Sequence, residues 1–87
     1  MGYKVQFAKH AIKEFLKLPG DIRDTVIKKL QFLVDDPYAI NSNIKKLQGV
    51  EGCYRLRVGN YRVIYRIISL TLIIEIIKVG HRQEIYK

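Results

Sequence analysis

Apolar positions along the chain change their period twice. Tyr3-Lys4-Val5-Gln6-Phe7 alternates apolar and polar residues, which predicts a short strand. From Ala8 the spacing becomes helical. Ala8, Ala11, Ile12, Phe15 and Leu16 share one face, and Lys9, Lys13, Glu14 and Lys17 take the other. Pro19-Gly20 interrupts that helix. Asp21 is the expected N-cap of a second one, with Asp24 favourable to its first turn. Ile22, Val26, Ile27, Leu30, Leu33 and Val34 form its apolar stripe, and Asp35-Asp36-Pro37 ends it. So short a link predicts an antiparallel helical hairpin.

Tyr38 to Gly52 reads as a loop, anchored by Leu47 and charged by Lys45 and Lys46. From Cys53 the period is two, and three strands are predicted: Cys53–Val58, Tyr61–Ile68 and Thr71–Val79. Gly59-Asn60 is a good two-residue hairpin turn. Ser69-Leu70 is a poorer one, and Gly80–Lys87 is a short polar tail carrying Tyr86. The order β-α-α-β-β-β predicts an α+β fold, a small antiparallel sheet with the helix pair on one face. Residues 1–87 are then expected to form one domain, and one sheet face is left open to water.

The Cys53–Arg66 hairpin sorts its side chains. With Gly59-Asn60 as the loop, Val58 faces Tyr61, Arg57 faces Arg62 and Arg55 faces Ile64. Tyr54, Leu56, Val58, Tyr61, Val63, Tyr65 and Ile67 then share the helix-covered face, and Arg55, Arg57, Arg62 and Arg66 the open one. Like charges directly opposite cost roughly 0.2–1 kcal/mol. No acidic residue of the hairpin offsets Arg57 and Arg62. A local rule broken without compensation points to a site for an anion, and the reading is a preformed phosphate clamp.

Charge strengthens that reading. The formal net charge is +8 in 87 residues, with a pI near 9.8, so a polyanion is the first partner to consider. Residues 1–52 hold one arginine, Arg23; residues 53–87 hold Arg55, Arg57, Arg62, Arg66 and Arg82. The guanidinium fork fits phosphate oxygens as an ammonium does not. The lone Cys53 excludes an internal disulfide and reads as a packed thiol. No metal-ligand spacing or glycine-rich phosphate loop is present, and no cofactor is expected. Glu75, in an apolar strand, reads as an ion-pair partner for an arginine, with a general base as the alternative. No signal-like N-terminal run occurs and Ile67–Ile77 is too short to span a membrane, so a cytoplasmic protein is expected. The last strand brings up His81, able to exchange a proton near neutral pH, then Arg82 and Tyr86.

The run from Gly52 through Arg62 to Tyr65 resembles the central hairpin of RelE-type toxins in the RelE/ParE superfamily. Val79-Gly80-His81-Arg82-Gln83-Glu84-Ile85-Tyr86 is similar to the family's C-terminal His-Arg-x-x-x-Tyr segment. Phe7–Leu18 and Lys45-Lys46-Leu47-Gln48-Gly49 fit as well, in the family's order. The resemblance implies a RelE-like microbial-ribonuclease-type fold. It implies a type II toxin that cuts mRNA in the ribosomal A site without a metal, by attack of a ribose 2′-OH on the adjacent phosphate. It also implies a neutralising cognate antitoxin, whose complex could bind operator DNA.

Carried over by position, Arg55 and Arg57 match basic residues of the family's second strand. Arg62 matches its phosphate-stabilising arginine, Arg82 the arginine at the leaving group, and Tyr86 the substrate-stacking tyrosine. The expected catalytic set is Arg57, Arg62, His81, Arg82 and Tyr86, with Arg55, Lys45 and Lys46 guiding RNA. Well-studied members have lysines where this chain has Arg55 and Arg57. A guanidinium is a poor base, which leaves His81, or ribosomal RNA, to manage the 2′-OH proton. The alternatives are a ParE-like gyrase-inhibiting toxin without nuclease chemistry, and a weakened toxin acting only in an antitoxin repressor complex.

Overall fold

The computed structural model of the protein describes residues 2–82. The elements are β1 (Lys4–Phe7), α1 (Lys9–Leu16), α2 (Gly20–Asp35), β2 (Ile44–Lys46), β3 (Cys53–Val58), β4 (Tyr61–Ile68) and β5 (Ile73–His81). They build a five-stranded sheet in the order β1-β5-β4-β3-β2. The helices cover one face. Their apolar stripes, including Ala11, Phe15, Val26, Leu30 and Leu33, meet Leu56, Val63, Tyr65, Ile74 and Ile76 of the sheet. Each large apolar side chain so buried contributes about 1.5–3 kcal/mol before entropy is counted.

The hairpin follows the expected register. Val58 pairs with Tyr61, Arg57 with Arg62 and Arg55 with Ile64. Gly59 has φ 60, the positive value that a type II′ turn needs at its first central residue. Other expectations are corrected. The sheet is mixed rather than antiparallel, because β1 runs parallel to β5 from Lys4↔Ile73 to Phe7↔Ile76. Part of the expected loop is a strand: β2 pairs antiparallel with β3, anchored by buried Ile44 while Leu47 is only half-buried. Pro19, not Asp21, holds the N-cap position of α2, and Asp21 lies in the first turn. β5 starts at Ile73 rather than Thr71, because Leu72 adopts a left-handed φ of 56 and breaks the extended chain there.

β5 also carries a bulge. Ile64 pairs with Lys78 but Tyr65 pairs with Ile76, so Ile77 is the extra residue. Without it the helix-facing set Ile74, Ile76 would continue to Lys78 and put an ammonium in the core. With it the set continues to Val79 and His81, and Lys78 points outward. β1 has ended at Phe7, so α1 takes over the neighbouring edge of β5. The His10 imidazole Nε2 donates to the Ile77 carbonyl at 2.6 Å, and Glu14 Oε1 accepts the Val79 N–H at 2.9 Å. These residues are one helical turn apart and bracket the bulge.

Two predictions follow from this packing. Glu14→Ala leaves the N–H of buried Val79 without its acceptor and lowers stability by about 1–3 kcal/mol, whereas Glu14→Gln keeps an acceptor and costs less than half of that. Urea unfolding of both variants decides it; equal losses would refute the bracing role. Tyr65 is fully buried and its hydroxyl has no hydrogen-bond partner among the described residues. Burial, and to a lesser degree the neighbouring Tyr54, pushes its pKa well above the ordinary 10.0. Above about pH 10 the unfolded chain loses this proton and the folded chain keeps it, so stability falls as pH rises by up to ~1.4 kcal/mol per pH unit. Tyr65→Phe removes that alkaline slope and costs less than about 1 kcal/mol at pH 7. Urea midpoints at pH 7 and above pH 10 test both statements.

Candidate nucleic-acid interface

The open face of the sheet is organised in rows across the strands. One row runs Lys45, Arg55, Ile64, Lys78. The next holds Arg57, Arg62 and Gly80. A third pairs Arg66 with Glu75, whose Nη2–Oε1 distance is 2.6 Å. Glu75 is therefore used as an ion-pair partner, as its sequence context suggested. The first two rows contain no carboxylate of their own, so five cations share this part of the sheet: Lys45, Arg55, Arg57, Arg62 and Lys78. Gly80 leaves the space next to Arg62 without a side chain.

The opposed pair is not a preformed clamp, which corrects the sequence expectation. Arg57 turns toward β2, where its Nε and Nη2 donate to Asn43 Oδ1 at 3.4 and 3.1 Å. Arg62 turns back along its own strand, where Nη1 donates to the Gly59 and Tyr61 carbonyls at 3.2 and 3.0 Å. Like charges in register separate when each finds oxygen dipoles elsewhere. Arg62 Nε is buried and has no partner among the described residues. The donors that a phosphate would take are thus parked on weak neutral acceptors, which an anion can displace.

Arg82 joins this end of the sheet. Its N–H donates to the Asn60 carbonyl at 2.8 Å, fixing its backbone against the turn that also holds Arg62. His81 does not join the arginines. It pairs with Tyr61, on the helix-covered face, and meets the Tyr61 ring edge-on at 5.5 Å. There it lines a cleft of about 510 Å³ with Glu14, Lys17 and Leu18. The physical reason is alternation: adjacent strand residues point to opposite faces, so His81 and Gly80 cannot share one. Lys45 lies on the open face and Lys46 on the other parity, both exposed at the sheet edge. Tyr86 lies outside the described residues. Cys53 has open-face parity yet is buried, a packed thiol.

Sequence reasoning missed Lys78 and Asn43. Lys78 carried a signal: polar residues 75 and 78 are three apart, which a regular strand cannot place on one face. Asn43 carried none, because β2 itself was not expected. Among the described residues no group of three or more His, Cys, Asp or Glu is placed to hold a metal ion. No helix among them is long and apolar enough to cross a membrane.

A sequence profile of the family described as ParE toxin of type II toxin-antitoxin system, parDE, matches residues 5–86. The chain is 36% identical to the mRNA interferase toxin RelE of Escherichia coli K12, over 99% of this chain and 92% of that one. It is also 36% identical to Toxin RelE3 of Methanocaldococcus jannaschii, over 95% and 94% of the two chains.

The chain belongs to the RelE/ParE family of type II toxins.

Solved structures agree with this. Free E. coli RelE, as a double mutant, superposes with a TM-score of 0.83 at 32% identity, covering 99% of this chain and 92% of that one. RelE in the archaeal RelE–RelB complex of Pyrococcus horikoshii superposes with a TM-score of 0.81 at 29% identity, covering 94% and 97%. The cationic face of this RelE/ParE member makes a specific prediction. For a single-stranded RNA oligonucleotide, Arg57→Ala and Arg62→Ala each reduce the slope of log K against log salt by about 0.7. Arg66→Ala, which removes a cation already paired with Glu75, leaves the slope nearly unchanged. Anisotropy titrations at several salt concentrations measure it, and equal effects at all three positions would refute the assignment.

Proposed function

We propose that this chain is the toxin of a type II toxin–antitoxin pair and cuts mRNA on the ribosome. The observation that carries the reading is the cationic sheet face, Arg55, Arg57 and Arg62 with Arg82 held at its end, in a chain similar to a protein named as an mRNA interferase. Residues 1–87 act as one toxin domain, in the cytoplasm where ribosomes are. The partner is a cognate antitoxin, as in the RelE–RelB complexes that resemble it.

In the proposed reaction a ribose 2′-oxygen attacks the adjacent phosphorus. The 2′-O–P bond forms, the P–O5′ bond breaks, and a 2′,3′-cyclic phosphate and a free 5′-OH result. Arg57 and Arg62 swing from Asn43 and the turn carbonyls onto the non-bridging oxygens, whose negative charge grows in the phosphorane. Arg82 stabilises the departing 5′-oxygen, which takes a proton from water to become the 5′-OH, and Tyr86 stacks on a base. Arg55, Lys45 and Lys46 guide the strand. The Tyr61-side position of His81 argues against it as the proton acceptor, so the 2′-OH is oriented and deprotonated with help from the ribosome.

The test is primer extension on mRNA in a translating system. Wild type yields A-site ends, and Arg62→Ala and Arg82→Ala each slow cleavage by roughly 10²–10³-fold, the size of a lost transition-state donor. His81→Ala slows it by less than about tenfold. The family profile, which is that of ParE toxins, supports a second reading. Intact mRNA together with inhibited gyrase supercoiling would replace the first by that one.

A further inference from the structure

Gly80 lies within β5, and glycine is a poor strand residue. It is not the bulged residue, which is Ile77. Nor is it among the glycines with positive φ, which are Gly49, Gly52 and Gly59. It pairs with Arg62, so a side chain at this position would stand on the open face, where no helix packs. A strand glycine without a bulge or a left-handed backbone to explain it marks the close approach of a ligand.

Cations border the gap above Gly80. Arg62 lies across it on β4, with its buried Nε unpartnered among the described residues. Arg82 closes the end at the turn, its N–H on the Asn60 carbonyl. Lys78 stands on the same face, two residues before Gly80. The bulge put it there, and bulges beside functional sites re-aim side chains in this way. An apolar residue at 78 would suit the core in a regular strand; a lysine and a bulge bring a cation to the open face instead. Lys78 is exposed and forms no salt bridge among the described residues. Glu14 lines the same cleft as Lys78 and Gly80, but its Oε1 already accepts the Val79 N–H.

We propose that Gly80 is the seat of the phosphate that is cut, and that Lys78 is a further ligand of its non-bridging oxygens. The inference rests on the function proposed above and adds two residues to its site. A phosphodiester arrives with one negative charge and gains a second in the phosphorane. Arg62 meets that charge from β4, Arg82 from the turn, and Lys78 from the remaining side. A compact ammonium on a flexible stem can follow an oxygen that the planar forks leave unbonded. A methyl group at position 80 would hold the phosphate off the strand and away from Arg62. A nucleobase fits the gap less well, because the residues flanking it on this face, Ile64, Lys78 and Arg62, include no aromatic ring to stack on.

Two measurements test it. In single-turnover cleavage on ribosomes programmed with mRNA, Lys78→Ala lowers the saturating rate by about 10²-fold and leaves the half-saturating toxin concentration nearly unchanged. Lys78→Arg, which keeps the charge, recovers most of that loss. Gly80→Ala lowers the rate by a similar factor, while its thermal midpoint equals or exceeds that of the wild type, because alanine is the better strand residue. In the second measurement inorganic phosphate alone is titrated against the free toxin by NMR. It shifts the Arg62 Nε–H resonance saturably, and Lys78→Ala and Gly80→Ala each need a roughly tenfold higher concentration. A Lys78→Ala variant altered only in its half-saturating concentration is a lost guiding cation, which overturns the role at the phosphate. Wild-type cleavage by Gly80→Ala, or a lowered midpoint in it, overturns the seat. If the wild type cuts no mRNA, the function proposed above fails instead. The phosphate titration then decides the seat by itself, and equal titrations of wild type and both variants reject it.

Discussion

The two hydrogen bonds by which α1 grips β5, His10 to the Ile77 carbonyl and Glu14 to the Val79 N–H, set the phase of the sheet's longest strand. β1 is only four residues long and stops at Phe7. Beyond it, β5 would present an open edge in a partly buried place, where an unpaired backbone group costs about 1–3 kcal/mol. α1 satisfies that edge with side chains, and side chains can follow an irregular strand as a regular neighbour cannot. The bulge at Ile77 is therefore tolerated at the point where the ladder changes from strand to helix. Its consequences reach both faces. Val79 enters the core, Lys78 joins the cations, and Gly80 rather than His81 stands beside Arg62.

The arginine face then shows how a sheet can hold repulsion without unfolding. Arg57 and Arg62 are directly opposed, yet their guanidinium groups point to acceptors on opposite sides, Asn43 and the turn carbonyls. Each of those bonds is a surface contact worth on the order of 1 kcal/mol. That is enough to separate like charges whose mutual cost is of similar size, and too little to compete with a phosphate that takes a bidentate, charge-assisted bond. The resting arrangement is thus poised for an anion, although it is not shaped around one. Glu75 marks where the poise ends, since Arg66 already has a carboxylate of its own.

Much of this was legible in the sequence, for local reasons. The helices followed from apolar periodicity, and the β3–β4 register followed from Gly59-Asn60, because a two-residue turn fixes every pair beyond it. What the sequence concealed were non-local pairings. β2 is three residues long and exists because buried Ile44 brings it against Leu56 of β3; Ile-Lys-Lys alone has no strand period. The parallel partnership of β1 with β5 joins residues some seventy positions apart in sequence. Asp21 has the residue type of a cap, yet Pro19 precedes a helix that begins two residues earlier. For β5 the information was present in the three-residue spacing of Glu75 and Lys78: alternation without a bulge puts His81 on the face of Glu75, and the bulge moves it to the face of Tyr61.

That last point bears on how a site of this kind can work. The centre of the face consists of guanidinium groups, which remain protonated and cannot accept the proton of an attacking hydroxyl. Their contribution is confined to charge stabilisation, which in favourable cases is worth roughly 10²–10³-fold per donor. General-base catalysis typically adds another 10²–10⁴-fold. With His81 turned toward Tyr61 and α1, the central arginines leave that second factor to be supplied from beyond themselves. Under the proposed function the ribosome then does more than deliver a substrate: it completes the chemistry. Such a division would keep the toxin slow on free RNA, and it accounts physically for an arginine at positions 55 and 57, where a lysine would have offered a titratable amine.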